Sequence, residues 1–258
     1  MRPILFAVFG FPIQSYGVSK ALAAIIGAWL LGRAFVRNGL LKDDAHHLVM
    51  CATIWGFIGA KVYYFLEHPS DVGLHHLGSG FTWYGGLLAG TAATLVVIRR
   101  RRLPLGLVAG LIAAPLALAY GIGRLGCLLA GDGTYGKPSN LPWAMAFPNG
   151  TMPTTVRVQP TPLYEALVAI VLAAVLWWLG RRAHPVLVFA AYLVGSGAAR
   201  FGVEALRINP PVAAGLTAPQ LWSLAIIMVG VILAGATLVR ASRSHAGVVA
   251  PSAPWPGI

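Results

Sequence analysis

The sequence has few charged residues, and acidic ones are especially scarce. Its 258 residues include seven aspartates and glutamates, and charged residues make up 10% of the chain. A soluble globular domain carries about 25% charged residues. Hydrophobic residues instead make up 57% of this chain. The composition therefore excludes an ordinary soluble domain and indicates a protein that is solvated by a lipid bilayer.

Cysteine and metal-binding motifs are also nearly absent. Cys51 and Cys127 are the two cysteines and form no CxxC pair, so no disulfide framework is expected. The histidines show no spacing of the HExxH type, although the adjacent His75 and His76 are a candidate for a general base. No segment of about ten residues alternates in the way that the strands of a membrane β-barrel do.

Long apolar stretches are what the sequence does contain. A helix needs about 20 mostly apolar residues to cross a bilayer, and it satisfies its backbone hydrogen bonds internally. Seven stretches qualify, at about 16–36, 46–66, 80–98, 104–123, 162–180, 185–203 and 217–239. They predict an all-α polytopic membrane protein with a single transmembrane domain over residues 1–243 and a disordered tail at 244–258. The first stretch is expected to be retained, because no small-residue cleavage site follows it.

Basic residues predict the orientation. They follow the first, third, fifth and seventh stretches: Arg33, Arg37 and Lys42; the arginines at 99–102; Arg181 and Arg182; Arg240 and Arg243. Seven spans place these four groups on one side, and cytoplasmic loops are enriched in lysine and arginine. The N-terminus is then outside and the C-terminus cytoplasmic. The net charge of +12 is accordingly interpreted as membrane anchoring and contact with lipid headgroups, not as a nucleic-acid surface.

Several ionisable residues lie within or at the ends of the apolar stretches. Arg124, Glu165, Arg200 and Glu204 fall in the outer half of the predicted bundle, and Lys61 lies deeper. Such residues are rare in membrane spans and usually face a cavity within the protein. Long loops at 68–80, 131–161 and 208–219 lie on the same side. A functional site is therefore expected at the outer side.

Local explanations compete with this hypothesis. Arg200, Glu204 and Arg207 are spaced i, i+4 and i+7 and could form only a ladder of ion pairs on one helix face. Thr161 fits an N-cap, and Glu165 would then only complement the positive end of that helix. The lysine in the second span could extend its side chain towards the membrane surface.

The glycines around Arg124 spell a familiar pattern. Gly121, Gly123 and Gly126 form G-x-G-x-x-G, which in soluble proteins marks a dinucleotide-binding turn between a strand and a helix. That context is missing in a bundle of membrane helices. Glycines nevertheless allow a ligand to approach the backbone closely, and a guanidinium group can hold a phosphate by two parallel hydrogen bonds. Arg124 is therefore a candidate for binding a phospholipid headgroup.

Other glycines have the spacing of helix contacts. Gly86 and Gly90, and likewise Gly106 and Gly110, are four residues apart. Small residues at this spacing allow membrane helices to pack closely. We expect both pairs to lie between helices.

Taken in order, six segments give the chain a family resemblance: YG at 16–17, GAKVYY at 59–64, YGGLLAG at 84–90, GIGRLGCLLAGD at 121–132, PTPLYE at 160–165 and RFGVEALR at 200–207. In this order and spacing, the chain resembles the prolipoprotein diacylglyceryl transferases of bacteria. The resemblance implies a multi-pass enzyme of the bacterial inner membrane whose active site faces outward. It implies transfer of the diacylglyceryl group of phosphatidylglycerol to the lipobox cysteine of a preprolipoprotein, and no metal or organic cofactor.

The resemblance also implies site residues. Those expected to be catalytic are Arg124, Arg200, Glu204, Tyr84 and Asp132; those expected to bind substrate are Tyr16, Lys61, Gly85, Gly86, Gly123, Gly126, Tyr164, Glu165 and Arg207. The two catalytic arginines suit the phosphate, and Tyr16 could hold a headgroup oxygen. Glu204 could orient an arginine or take the proton of the thiol.

Three positions depart from the family pattern. Tyr84, Cys127 and Gln159 stand where the family often has histidine, asparagine and histidine. A tyrosine has an unperturbed pKa of about 10 and a histidine one near neutrality. Tyr84 thus serves as base only with a much lower pKa. Otherwise Glu204 or Asp132 is the base and Tyr84 positions the headgroup.

Two other functions stay open on the sequence. A divergent relative could bind anionic phospholipid or lipoprotein without transferring the lipid. A transporter or channel would instead distribute polar residues through the membrane depth and show inverted repeats. The sequence shows neither of those two features.

Overall fold

The computed structural model describes residues 2–8, 11–73 and 80–246. Within them are seven α-helices: α1 (Ser15–Arg37), α2 (Lys42–Glu67), α3 (Trp83–Arg100), α4 (Leu105–Ala130), α5 (Thr161–Leu179), α6 (Pro185–Glu204) and α7 (Ala218–Ala246). The predicted all-α architecture is confirmed. Helix α7 includes residues 244–246, whereas the rest of the predicted tail, and His75 and His76, lie outside the described residues.

The helix ends gather on two faces of the bundle. At one face, which we call the loop face, Glu165 at the start of α5 binds Arg124 near the end of α4. Glu204 at the end of α6 binds Thr217, which directly precedes α7. The opposite face, which we call the basic face, holds the ends of α1, α3, α5 and α7. All four predicted groups of basic residues therefore share one face, as expected.

Six of the described helices are long and apolar enough to cross a membrane, and α3 is the exception. Its 18 residues end in two arginines. Nevertheless, α3 packs antiparallel along α2. A side-chain carbon built on Gly85 would touch Gly59, one on Gly86 would approach Gly56, and one on Gly90 would approach the backbone of Ala52. This confirms that Gly86 and Gly90 lie between helices. The close packing of these glycines lets α3 run directly beside α2.

The second glycine pair behaves in the same way. Gly110 faces Pro185 at the start of α6, where an added side-chain carbon would lie 2.5 Å from the Pro185 carbonyl oxygen. Gly106 faces Val186, with a corresponding distance of 3.0 Å. The absence of a side chain thus lets α4 and α6 approach each other at the basic face.

Gly85→Ala should lower the stability of the α2–α3 pair. The new methyl group would lie 2.3 Å from both the Gly59 carbonyl oxygen and the Tyr63 Cβ, and forcing extra atoms into a packed contact costs about 1–3 kcal/mol. The unfolding midpoint of the purified protein in detergent measures the effect. Gly235→Ala on α7 is the control, because nothing lies within 4 Å of that position. Equal midpoints for the two variants would contradict the packing role of Gly85.

Three short β-hairpins cover the loop face. They pair β1 (Ile4–Val8) with β2 (Phe11–Gln14), β3 (Met145–Phe147) with β4 (Thr154–Val158), and β5 (Pro211–Ala213) with β6 (Leu216–Thr217). The apolar periodicity of the sequence did not predict them. Arg157 of β4 stabilises the long loop by donating to the carbonyl oxygens of Leu141, Pro142 and Ala144.

An apolar cavity of about 1280 Å³ lies within the bundle. It is bordered by α1, α2, α3, α4, α6 and α7, by small side chains such as Ala23, Gly90 and Ala119 and by larger aliphatic ones such as Leu31. Arg240 and His184 also border it near the basic face. Its other end reaches Gly86, Ala23 and Ala119, which lie about one, two and three helical turns, respectively, from the loop-face ends of α3, α1 and α4.

Candidate active site

Glu165 is the centre of a buried polar network at the loop face. Its side chain is 3% exposed. One carboxylate oxygen, Oε1, accepts hydrogen bonds from the Tyr120 hydroxyl at 2.9 Å, Arg124 Nη2 at 2.9 Å and Arg200 Nη1 at 2.8 Å. Helix α5 thereby fixes an arginine of α4 and an arginine of α6 relative to each other. The sequence placed these three charges on the same side, and the structure brings them into contact.

The start of α5 differs from the expectation. Pro160 occupies the N-cap position and Thr161 is the first residue of the helix, so the prediction of Thr161 as N-cap is wrong. The Thr161 hydroxyl instead donates to the carbonyl oxygen of Thr134 at 2.6 Å. This hydrogen bond ties the long loop to α5. Glu165 binds neighbouring helices rather than only complementing its own helix end.

Glu204 extends the network along α6. Its Oε2 lies 2.8 Å from Arg200 Nη2 and 3.8 Å from Arg207 Nε. Its Oε1 accepts from Thr217 Oγ1 at 3.0 Å and from the Asn209 side-chain amide. The Glu204 side chain has no exposed surface. The predicted ion-pair ladder thus exists, and Arg200 also extends from it to α5.

Some buried polar atoms of the network are left without a hydrogen-bond partner among the described residues. Glu165 Oε2 and Arg207 Nη1 are buried and have no hydrogen-bond partner among the described residues. A buried polar atom without a partner costs free energy unless a ligand or water completes it. Burial and the nearby Arg200 lower the pKa of the Arg207 guanidinium, which still remains charged because arginine does not deprotonate in proteins. The network is therefore suited to a polar, anionic ligand.

The opposite side of α4 contacts α1. A side-chain carbon on Gly126 would lie 2.5 Å from the Ser19 Cβ and 3.7 Å from the Tyr16 Cα. Gly123 faces the ammonium group of Lys20. These glycines bring Tyr16 close to the helix that carries Arg124, as the predicted site requires. At Gly126 there is also a physical reason for glycine, because Ser19 of α1 occupies the space that a side chain would need.

Asp132 lies just after α4. The helix ends in Gly131, which has the left-handed φ of 61°, and the Asp132 amide then donates to the Cys127 carbonyl oxygen. The Asp132 Oδ1 accepts from the Thr134 amide at 3.1 Å and from its hydroxyl at 2.6 Å. Cys127 is buried and accepts from Arg124 Nη1 at 3.8 Å. Asp132 is only partly buried, unlike the two glutamates.

The other predicted site residues lie elsewhere on the loop face. Tyr84 packs against Trp222 of α7, with ring centroids 5.8 Å apart. Lys61 donates to the Gly80 carbonyl oxygen at 3.2 Å and lies over the rings of nearby aromatic residues. The Tyr164 hydroxyl accepts from the Trp143 indole at 2.7 Å. Gly85 and Gly86 contact α2, so packing alone accounts for the need for glycine there.

Sequence reasoning missed four polar residues near this site: Tyr120, Asn209, Thr217 and Lys20. Tyr120 lies four residues before Arg124 and donates to the same carboxylate, a spacing that could have been noticed. Lys20 is a lysine inside the first apolar stretch, which is a direct signal. Asn209 and Thr217 become partners of Glu204 only through the folding of a loop.

Comparison with known proteins agrees with this architecture. The family model of prolipoprotein diacylglyceryl transferase matches residues 3–235. The chain belongs to the prolipoprotein diacylglyceryl transferase family. It is 31% identical over 239 residues to the phosphatidylglycerol–prolipoprotein diacylglyceryl transferase of Clostridium tetani, covering 90% of this chain and 96% of the relative.

Other members of the family are similarly related. The Bordetella avium enzyme of the same name is 32% identical over 261 residues, which is 93% of this chain and 96% of the relative. The Methylococcus capsulatus enzyme is 31% identical over 250 residues, which is 89% and 93% of the two chains. The family model thus covers all the elements that carry the buried network.

Proposed function

We propose that this protein transfers the diacylglyceryl group of phosphatidylglycerol to the lipobox cysteine of prolipoproteins. The observation that carries the proposal is a largely buried pair of arginines at the loop face of a bundle that also contains a large apolar cavity. Glu165 holds Arg124 and Arg200 together at the loop face. The apolar cavity begins at Ala119, just over one turn along α4 from Arg124. A phospholipid has complementary groups: its anionic headgroup suits the arginines, and its acyl chains suit the apolar cavity.

In this reaction, a carbon–sulfur bond replaces a carbon–oxygen bond. The cysteine sulfur bonds to the glycerol carbon that carries the phosphate, and the bond from that carbon to the phosphate oxygen breaks. The thiol proton leaves, because the thiolate is the nucleophile. The products are a thioether and glycerol phosphate. Negative charge accumulates on the departing phosphate, so fixed positive charge near it lowers the barrier.

Arg124 and Arg200 are suited to that charge. Each has one guanidinium nitrogen on Glu165, which holds the pair in place before the lipid arrives. Preorganised donors need no reorientation when charge develops. Glu204 holds Arg200 from the other side and has no exposed surface. We therefore assign Glu204 to positioning rather than to taking the thiol proton.

The thiol proton needs a different acceptor. Asp132 is a partly buried carboxylate next to the end of α4, and its Oδ1 is held by Thr134. Its accessibility favours Asp132 as the base over Glu204. Tyr84 lies at the start of α3 with its ring against Trp222, and we propose that its hydroxyl positions the headgroup. The reaction proposed here uses no metal or organic cofactor.

The protein is a multi-pass protein of the bacterial inner membrane. We propose that the loop face points outward, because the four groups of basic residues lie on the opposite face. Its substrates are then phosphatidylglycerol from the surrounding lipid and the lipobox peptide of a preprolipoprotein, which approaches from the outer side. Neither substrate is a nucleic acid.

Tyr84→Phe tests the proposed positioning role. Losing one neutral hydrogen bond should raise KM for phosphatidylglycerol by a few-fold and lower kcat by less than about tenfold. A base would lose far more, about 10²–10⁴-fold in rate. Tyr84→His introduces the residue common in the family, and it should retain activity. A rate loss of 10²-fold or more in the phenylalanine variant, reversed by histidine, would instead identify Tyr84 as the base.

Complementation tests the function as a whole. The gene should rescue a bacterial strain depleted of its own diacylglyceryl transferase, and mass spectrometry should detect the thioether-linked diacylglyceryl group on a prolipoprotein. The Arg124→Ala variant, checked for equal abundance in the membrane, is the negative control. Correct insertion without rescue or modified prolipoprotein would instead favour a lipid-binding member of the family without transferase activity.

A further inference from the structure

Lys20 is a cation inside a membrane helix without an acidic partner. It lies in the second turn of α1, which begins at Ser15. All seven carboxylate side chains of the protein belong to residues that the structure describes. The ion pairs of the described residues use Asp44, Glu165 and Glu204, and none includes Lys20. Its side chain is exposed, and an ionisable residue within a membrane helix is rare and often marks a functional site.

The surroundings direct Lys20 towards the site. Its ammonium nitrogen lies 5.1 Å from the centre of the Tyr16 ring. It would lie 3.5 Å from a side-chain carbon on Gly123, the residue immediately before Arg124. The close contact of Ser19 with Gly126 fixes how α1 lies against α4. Lys20 thus reaches the site from the side of α4 that contacts α1.

Charge balance gives Lys20 a distinct role. Along the segments that carry the network and Asp132, residues 124–132, 165 and 200–207, the cations Arg124, Arg200 and Arg207 balance the carboxylates Asp132, Glu165 and Glu204. Lys20 adds one positive charge next to this balanced set. A phosphodiester headgroup with no cation of its own matches that charge. A zwitterionic headgroup brings an ammonium group that this excess charge would repel.

We propose that Lys20 binds the phosphate of the donor lipid together with Arg124 and selects anionic over zwitterionic phospholipids. This inference rests on the proposed function, because it names the lipid that the same site accepts. Because negative charge grows on that phosphate during the reaction, loss of Lys20 should raise KM and, to a smaller extent, lower kcat.

Lys20→Met removes the charge and keeps the length of the side chain. With phosphatidylglycerol diluted in detergent micelles, its KM should rise about tenfold, and kcat should fall by only about two- to threefold. Lys20→Arg should restore the wild-type KM. The control is Lys42→Met, which removes the same charge at the basic face and should change neither constant. Equal KM values for Lys20→Met and wild type would overturn the proposal.

A binding measurement separates this proposal from the proposed function. Native mass spectrometry of the purified protein, after exposure to equal amounts of phosphatidylglycerol and phosphatidylethanolamine, should show preferential retention of the first lipid. Lys20→Met should reduce that preference several-fold. If wild type transfers no lipid, the proposed function fails, while a preference that depends on Lys20 would still support this inference. An unchanged preference in Lys20→Met would overturn it whether or not the protein is active.

Discussion

Arg124→Ala and Arg200→Ala should each lower kcat/KM for lipid transfer by at least about 10²–10³-fold, the loss that follows from removing one preorganised donor to a developing anion. Both guanidinium groups are largely buried, with side chains 15% and 26% exposed. Little water can therefore replace the missing charge. An arginine holds a phosphate by two parallel hydrogen bonds, so lysine should restore only part of the activity.

Neither substitution should unfold the protein. Without Arg124, Glu165 retains Arg200 and the Tyr120 hydroxyl. Without Arg200, Glu204 retains Thr217 and the Asn209 amide. Each carboxylate thus keeps hydrogen-bond donors in either variant. Mass detection of modified prolipoprotein measures the activity, and the unfolding midpoint in detergent measures the fold.

Arg181→Ala is the matched control for these two variants. Arg181 is an exposed arginine on the basic face, just beyond α5. Its loss should leave kcat/KM unchanged. Full activity of Arg124→Ala or Arg200→Ala would rule out the assignment of that arginine to the phosphate.

Glu165→Ala should have the largest effect on stability. This carboxylate is the shared partner of two arginines inside the bundle. Removing one partner of a buried ion pair typically costs about 3–5 kcal/mol, because the remaining charge is left uncompensated. For a protein of this length, that corresponds to a decrease in the unfolding midpoint on the order of ten degrees. Transfer should also be lost, since both arginines lose their common anchor.

Glu165→Gln distinguishes charge from shape. Its amide oxygen still accepts hydrogen bonds, so the decrease in the unfolding midpoint should be smaller than in the alanine variant. The control is Glu67→Ala, which removes an exposed carboxylate that accepts one hydrogen bond from Thr82 and should leave the midpoint nearly unchanged. An unchanged midpoint in Glu165→Ala would contradict the view that this residue holds the two arginines in place.

Local sequence patterns predicted the main elements well. Each helix was recognisable because a membrane helix depends on a run of apolar residues, which is a local property. The shared face of the four basic groups followed from the number of helices alone. The three hairpins were missed because they are short and depend on contacts with neighbouring loops; the strand β5, for example, has three exposed residues. The N-cap of α5 was missed because the Thr161 hydroxyl binds Thr134, 27 residues earlier.

For the site itself, the sequence predicted which residues belong to it but not how they are arranged. Arg124, Glu165 and Arg200 were recognisable because charges are rare in apolar stretches. Their sequence separations of 41 and 35 residues gave no distances. Lys20 was not selected, although it was a charge of the same kind. Its relation to Gly123 exists only through the contact of α1 with α4.

By itself, the sequence determined that this protein lies in a lipid bilayer, where its helices are, and on which face its charges meet. These properties follow from composition and periodicity, which act within one segment. Only the tertiary structure decided which carboxylate binds which arginine, and which charges remain unbalanced. Glu165 was one of several acidic candidates in the sequence. It became the centre of the site because two other helices, α4 and α6, bring three donors to one of its oxygens, and helix packing depends on surfaces that lie far apart along the chain.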